Sequence, residues 1–127
     1  MLMLVAGLTA FGSAYVITVN TDTNGVGTAT QSVSGAVDTI HVAVSDGAST
    51  GTVAVAYTPR YMSSVNLATN SVVGSKTFRP RVDATDVAGV ALTGDDPVCY
   101  TLYSDDVTVS VTNGADSAVW RAIIITK

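Results

Sequence analysis

The chain has 127 residues, including 21 valines, 18 threonines and 11 glycines, and all ten of its acidic residues are aspartate. Valine and threonine favour strands, and aspartate favours turns where glutamate would favour helices, so the composition predicts one all-β domain spanning residues 1–127. A net charge of −4 at pH 7 argues against direct nucleic-acid binding, and one cysteine with one histidine excludes an intrachain disulfide and a Cys/His metal site.

Low charge is the second feature of the composition. Charged residues make up 13% of the chain and hydrophobic residues 47%. A soluble monomer normally carries a more highly charged surface, so we expect neighbouring subunits to cover part of this one. The expected assembly is a closed homo-oligomer, with a trimer as the specific prediction.

Residues 1–14, MLMLVAGLTAFGSA, form an apolar segment. The segment ends in small residues as a signal peptide does, but no basic residue follows Met1, and the run is too short to span a membrane. We expect an N-terminal strand or arm that packs on the domain or on a neighbouring subunit. An uncleaved signal sequence is the alternative. The candidate interface residues of this arm are Leu2, Leu4 and Phe11.

Four strands are predicted next, because apolar and polar residues alternate with the period of two that a half-buried strand shows. They span residues 15–21, 26–33, 37–45 and 50–58. Asn24-Gly25 predicts a tight turn after the first strand, and Ser34-Gly35 separates the second strand from the third.

Regular alternation is lost over residues 60–74, which predicts a long loop, a short helix or an extra hairpin. Long loops on a β scaffold often carry binding residues. Alternation returns over 76–84, where Pro80 indicates an edge strand or a bulged strand because proline has no N–H for the ladder. Residues 86–96 are interpreted as a glycine-punctuated connection.

The last part of the chain predicts three more strands, over residues 98–103, 107–112 and 118–126. Asp105-Asp106 is placed in the first turn and Asn113–Asp116 in the second, since these residue types favour turns. The total is about eight or nine short strands with turn signals between them. Such spacing predicts an antiparallel β-sandwich, a jelly-roll-like fold or a small barrel.

No set of residues predicts catalysis. His41 is expected on the outer face of its strand, and no G-x-S-x-G nucleophile motif accompanies it. Asp95-Asp96 and Asp105-Asp106 flank one predicted strand, so they lie too far apart for one carboxylate dyad or one metal site. We expect a protein that is not an enzyme and uses no cofactor or metal. The alternative is a calcium site in which either pair joins aspartates of adjacent turns, namely Asp83, Asp86 or Asp116.

Two clusters are candidates for partner contacts. Arg79 and Arg81, with the nearby Lys76, make a small basic patch on an acidic chain, which we interpret as a solvated strand face. Arg79, Arg81 and Tyr103 are the candidate interface residues of the domain body. Trp120 indicates a core or subunit-interface position, and a carbohydrate platform is the alternative. The tyrosines that would join such a platform are Tyr57, Tyr61, Tyr100 and Tyr103.

A resemblance to known proteins lies in the second half of the chain. Its features are the R-x-R-V-x-A-x-D run from Arg79 to Asp86, the G-x-x-L segment from Gly89 to Leu92, the strand pair LYSDDVTVSV and the apolar last strand. These resemble the C-terminal halves of small bacteriophage virion proteins of the capsid decoration, cement or head-fibre type. The resemblance implies a structural role in many copies per particle and carries over no catalytic residue.

The function expected from this resemblance is that of a phage capsid decoration protein. Such a protein would be made in the host cytoplasm, become part of the virion, and bind the major capsid protein or other virion subunits on the outer surface. It would contact neither nucleic acid nor membrane. The alternative expectation is a carbohydrate-binding or host-surface-binding β module of a tail or fibre.

Overall fold

The computed structural model describes residues 12–45, 49–82, 88 and 98–127. These residues form an all-β fold of seven strands without a helix, as the composition predicts. The strands are β1 (Ala14–Asn20), β2 (Gly27–Val44), β3 (Thr50–Thr58), β4 (Val65–Val73), β5 (Ser75–Phe78), β6 (Thr101–Thr112) and β7 (Val119–Thr126). Since no helix is present in the described part, no helix there is long and apolar enough to cross a membrane.

The strands form one antiparallel sheet in the order β1-β7-β2-β6-β3-β4, and β5 pairs with β2 outside this path. The sheet curls into a half-barrel, so that distant strands in this order pack face to face. One such contact joins β3 and β7: a Cβ built on Gly51 would lie 3.0 Å from Cζ2 of Trp120. Trp120 is therefore a core residue, which agrees with the core interpretation of its sequence position.

Strand β2 makes the curl possible because its two parts pair with different neighbours. Residues 27–36 pair with β6, whereas residues 37–44 lie between β7 and β5. Gly35 lies at the division with φ +115°, and the register also shifts between Val37 and Thr39. The prediction of two strands separated at Ser34-Gly35 was wrong, because the glycine bends one continuous strand rather than ending it.

Strand β6 also differs from the prediction. Asp105 and Asp106 lie inside it and do not form a hairpin turn. Leu102 and Val107 both face the core although they are five positions apart, and in a regular strand an odd spacing places two residues on opposite faces. A bulge absorbs the extra residue: Ser34 of β2 lies opposite two residues of β6, and Ser104 there has φ +57°.

Of the three structures predicted for residues 60–74, the extra hairpin is the one found. The segment contains β4, which pairs with β3 from Thr50↔Val73 to Tyr57↔Val65. The strand predicted over 76–84 is shorter, and β5 ends at Phe78, two residues before Pro80. Val82 then pairs with Val98 as an isolated bridge. The predicted connection over 86–96 lies outside the described residues except for Ala88.

One hydrophobic cluster fills the curl and draws side chains from β1, β2, β3, β4, β6 and β7. The alternating residues predicted to face inward do so in β1, β3 and the second part of β2. Valine supplies ten of the fully buried positions, and its stiff branched side chain suits a pleated surface. Those valines are Val19, Val33, Val37, Val42, Val53, Val55, Val72, Val107, Val109 and Val111.

Candidate functional site

An open cleft of about 510 Å³ lies at the end of the curled sheet where β3 ends and β6 begins. A smaller depression of about 280 Å³ adjoins it. We name the larger one the tyrosine cleft. Its lining residues are Tyr57, Pro59, Arg60, Met62, Val65, Thr101, Tyr103 and Asp105. The volume falls within the range of about 300–1,000 Å³ that is usual for small-ligand sites.

One wall of the cleft comes from the connection between β3 and β4. Pro59 ends β3, because it has no N–H for the ladder, and its carbonyl accepts the Met62 N–H at 3.2 Å. This tight turn places Tyr61 at φ +65°, an uncommon conformation for a bulky residue. The Tyr61 side chain is 96% exposed and that of Met62 is 66% exposed. The turn therefore presents apolar side chains to solvent at the rim.

The β6 bulge builds the facing wall. Ser104 donates its N–H to the Ser34 hydroxyl at 2.9 Å, and the two hydroxyls lie 3.0 Å apart. The Tyr103 N–H donates to Oδ2 of Asp105 at 3.0 Å. These bonds hold Tyr103, which is 79% exposed, next to a half-buried carboxylate. The local break in strand geometry thus places an aromatic ring and an anion together.

Tyr57 is a half-buried lining residue of the cleft. Its ring packs edge-on against Tyr100, with centroids 6.1 Å apart and an interplanar angle of 69°. Partial burial raises the pKa of Tyr57, and the negative charge of Asp105 and the neighbouring Tyr100 raise it further. Tyr57 therefore stays protonated and neutral near pH 7, so its hydroxyl can donate a hydrogen bond.

Sequence reasoning named Tyr57, Tyr61, Tyr100 and Tyr103 as aromatic candidates, and the structure gathers all four at this end of the sheet. It separates Trp120 from them, since that ring lies in the core. Arg60, Met62 and Asp105 were missed as cleft residues. Two signals in the sequence pointed to them: the loss of alternation after Pro59 and the odd spacing between Leu102 and Val107.

A second candidate surface is the outer side of β6, β3, β4 and the first part of β2. We name it the hydroxyl face. Its members are Thr28, Thr30, Ser32, Thr52, Ala54, Ala56, Asn66, Thr69, Ser71, Asp106, Thr108, Ser110 and Thr112. Threonines 30 and 108 share a hydrogen bond of 2.9 Å between strands, and Thr28 lies 3.3 Å from Ser110. Among these members Asp106 alone is charged, and it lies at one end.

The predicted interface arginines lie at a third place, around Asp38. Arg81 donates to Oδ1 of Asp38 at 2.8 Å and to the Asp38 carbonyl at 2.9 Å, and its side chain is only 22% exposed. Arg79 and Lys127 each lie 3.7 Å from the same oxygen, and the Arg79 side chain is 68% exposed. Of the two arginines, Arg79 has the side chain available to a partner. Leu2, Leu4 and Phe11 lie outside the described residues.

The remaining candidate residues from the sequence are His41, Cys99 and the aspartates. No group of three or more His, Cys, Asp or Glu side chains occurs within the described ranges in an arrangement that could hold a metal ion. His41 is exposed, and its Nδ1 lies 2.8 Å from the Thr77 hydroxyl. Cys99 is a half-buried free thiol. Asp83, Asp86 and the pair Asp95-Asp96 fall outside the described residues, so the calcium alternative stays a prediction.

Comparison of the chain with protein-family models, with curated proteins and with solved structures finds no match in any of the three.

Proposed function

We propose that this protein is a non-enzymatic structural subunit of a bacteriophage particle, a decoration protein that binds the outer capsid surface. The observation that carries the proposal is the hydroxyl face. Four paired strands present short side chains there, and its one charged residue lies at the end. Short side chains lose little rotamer entropy when a partner covers them, and burying hydroxyl groups that find hydrogen-bond partners costs far less hydration free energy than burying charges.

The chemistry of the hydroxyl face suits a hydrogen-bonded contact with another protein. Hydroxyl groups both donate and accept, so they can pair with the polar groups or bridging waters of a capsid surface. The rigid sheet fixes their spacing in advance, which limits the entropy lost on binding. Alanines 54 and 56 in the middle of the face allow a partner to approach closely.

The small area of the hydroxyl face favours an oligomer over a monomer as the form that binds. Four strands about 4.8 Å apart and roughly six residues long at about 3.3 Å per residue cover about 20 by 20 Å. That area of about 400 Å² is smaller than the roughly 800 Å² that each partner buries in a standard stable interface. One such contact is weak, and an oligomer that presents several of them gains affinity through multivalency. A trimer is the assembly we propose.

Thr108→Arg tests the proposal. Thr108 pairs with Thr30 on one side and Ala56 on the other, so an arginine there places a charge in the middle of the hydroxyl face. We expect the copy number on purified particles to fall at least about tenfold, since a buried unpaired charge is costly. Ser75→Arg is the matched control, because Ser75 is exposed on β5 and lies outside the face.

Quantitative mass spectrometry of purified particles provides the measurement. If correctly folded Thr108→Arg were present on particles at the wild-type copy number, the hydroxyl face would not be the capsid contact. Absence of the wild-type protein from particles would overturn the virion role itself. Arg79→Ala tests the predicted arginine contact separately, since Arg81→Ala would also remove the bond to Asp38. Turnover of a substrate by the isolated protein, abolished by an Asp→Asn change, would contradict the non-enzymatic assignment.

A further inference from the structure

We propose that the tyrosine cleft is a binding site for a neutral saccharide. The site is separate from the hydroxyl face, so this inference does not depend on the proposed capsid contact. It rests on three features of the cleft: polar groups without partners, exposed aromatic rings next to them, and a backbone that holds both in unusual conformations.

Unpartnered polar groups are the first feature. Oδ2 of Asp105 accepts the Tyr103 N–H, whereas Oδ1 accepts no hydrogen bond from the described residues. Among those residues the Arg60 guanidinium also has no ion-pair or hydrogen-bond partner, and neither has the Tyr57 hydroxyl. All three groups line one cleft. The cleft therefore offers an acceptor, a charged donor and a neutral hydroxyl to the same ligand.

A saccharide matches this set because each of its hydroxyls both donates and accepts. Asp105 can accept from a sugar hydroxyl while Arg60 donates to a neighbouring oxygen, and hydrogen bonds to charged groups are the stronger kind. The exposed Tyr103 ring supplies an apolar surface for the C–H face of a sugar. The charges of Arg60 and Asp105 are opposite, so together they are neutral. A neutral ligand keeps the occupied cleft neutral.

A proline-rich peptide is the competing ligand, since such peptides also dock in aromatic-lined grooves. Proline has no N–H, so a proline-rich segment presents mainly carbonyl acceptors. These could pair with Arg60 and Tyr57 but would leave Oδ1 of Asp105 covered without a donor, since only Oδ2 accepts the Tyr103 N–H. A polar group covered without a partner costs free energy, so the carboxylate favours the saccharide.

The backbone holds the two walls in uncommon conformations. Tyr61 and Ser104 both have positive φ, and they adjoin lining residues on opposite sides of the cleft. Such conformations cluster at ligand-binding sites, where the surrounding structure holds them. Here the Ser34 hydroxyl holds Ser104 from the neighbouring strand. A pre-organised wall loses less conformational entropy on binding a ligand.

The test is an NMR titration of the full chain with a panel of neutral disaccharides, namely maltose, cellobiose, lactose, mannobiose and chitobiose. A proline-rich decapeptide is titrated in parallel. We expect at least one disaccharide to shift the amide signals of Val65, Thr101, Tyr103 and Asp105. Tyr103→Ala and Asp105→Asn should each weaken that binding about tenfold or more, as truncation of an aromatic or charged anchor does.

Matched controls are available in the chain. Val73→Ala removes an exposed apolar side chain at the other end of the β3–β4 hairpin, and Asp116→Asn neutralises a carboxylate in the turn between β6 and β7. Both should bind the saccharide as the wild type does. Shifts confined to residues outside the cleft, no response to any disaccharide, or binding of the peptide alone would each overturn the proposal.

Discussion

A single carboxylate, that of Asp38, joins three parts of the chain that are distant in sequence. Arg79 and Arg81 reach it from the segment after β5, and Lys127 reaches it from the residue after β7. The Thr39 hydroxyl donates to Oδ2 at 3.1 Å. This hydrogen bond is the main cause that lowers the pKa of Asp38. Partial burial acts against it, and the three cations lower the pKa further.

We predict that Asp38→Asn lowers the free energy of unfolding at neutral pH and that the loss shrinks in acid. A lowered pKa means that the folded state binds the proton less readily than the unfolded state. Asp38 therefore adds stability above its ordinary pKa, and this contribution is lost as the pH falls below about 4. Urea denaturation of the wild type and the variant at about pH 7 and about pH 3 measures the difference in their free energies of unfolding.

Asp116→Asn is the control for this experiment, because Asp116 is exposed in a turn and has no cation partner among the described residues. It should change stability little at either pH. If Asp38→Asn lowered the free energy of unfolding as much at pH 3 as at pH 7, the ionised carboxylate would not be what stabilises the cluster.

At the scale of elements, two irregularities in the strands decide the shape. Gly35 bends β2 so that its two parts join different neighbours, and the bulge at Ser104 changes which residues of β6 face the core. Both irregularities lie side by side on paired strands. The first permits the sheet to curl, and the second aims Tyr103 and Asp105 at the cleft.

These irregularities mark where prediction from sequence failed. Alternation correctly predicted β1, β3, β7 and the inward faces of the second part of β2, because each is a regular strand with one buried side. It predicted turns at Ser34-Gly35 and at Asp105-Asp106, where the chain continues through a bend and a bulge. Glycine and aspartate favour both kinds of feature, and only the pairing with a second strand distinguishes them.

The same limit applies to the cleft. The sequence identified its tyrosines as candidates. Their proximity in space depends on the curl of the sheet, which brings together parts of the chain that are distant in sequence. Trp120 shows the reverse case, since its burial followed from the apolar strand around it. Its Nε1 is buried without a hydrogen-bond partner among the described residues, which no sequence pattern indicated.

We predict that Gly35→Ala lowers the free energy of unfolding by about 1–3 kcal/mol. Alanine is strained at the φ of +115° found here, and its Cβ would lie 2.9 Å from Cβ of Thr126. Ser32→Ala, at an exposed position of the same strand, is the control and should change stability little. Chemical denaturation monitored by the fluorescence of Trp120 gives both values. Equal stability of the two variants would refute the role assigned to the bend.

At the scale of the whole molecule, the last strand in sequence occupies an interior place in the sheet. Strand β7 lies between β1 and β2, and it contributes Trp120, Ala122 and Ile124 to the core. Strand β1 pairs only with β7 among the described strands. The two ends of the described fold are thus held together by one ladder, from Ala14↔Ile125 to Asn20↔Val119.

We predict that deleting residues 119–127 prevents folding of the entire sheet rather than removing one strand from it. The deletion exposes the inner faces of β1 and β2 and removes the largest core side chain. Dispersion of the amide signals in an NMR spectrum should collapse. Deleting Lys127 alone, which leaves β7 intact, is the control and should keep the dispersion. A folded six-stranded remainder would contradict the prediction.

The interior place of β7 also has a consequence for biosynthesis. A ribosome makes the chain from its amino end, so β1 and the second part of β2 emerge long before the strand that lies between them. Until β7 leaves the exit tunnel, these two strands lack the strand that joins them, and stable folding must wait for β7 to emerge. A product terminated before β7 would therefore stay unfolded and exposed to proteases.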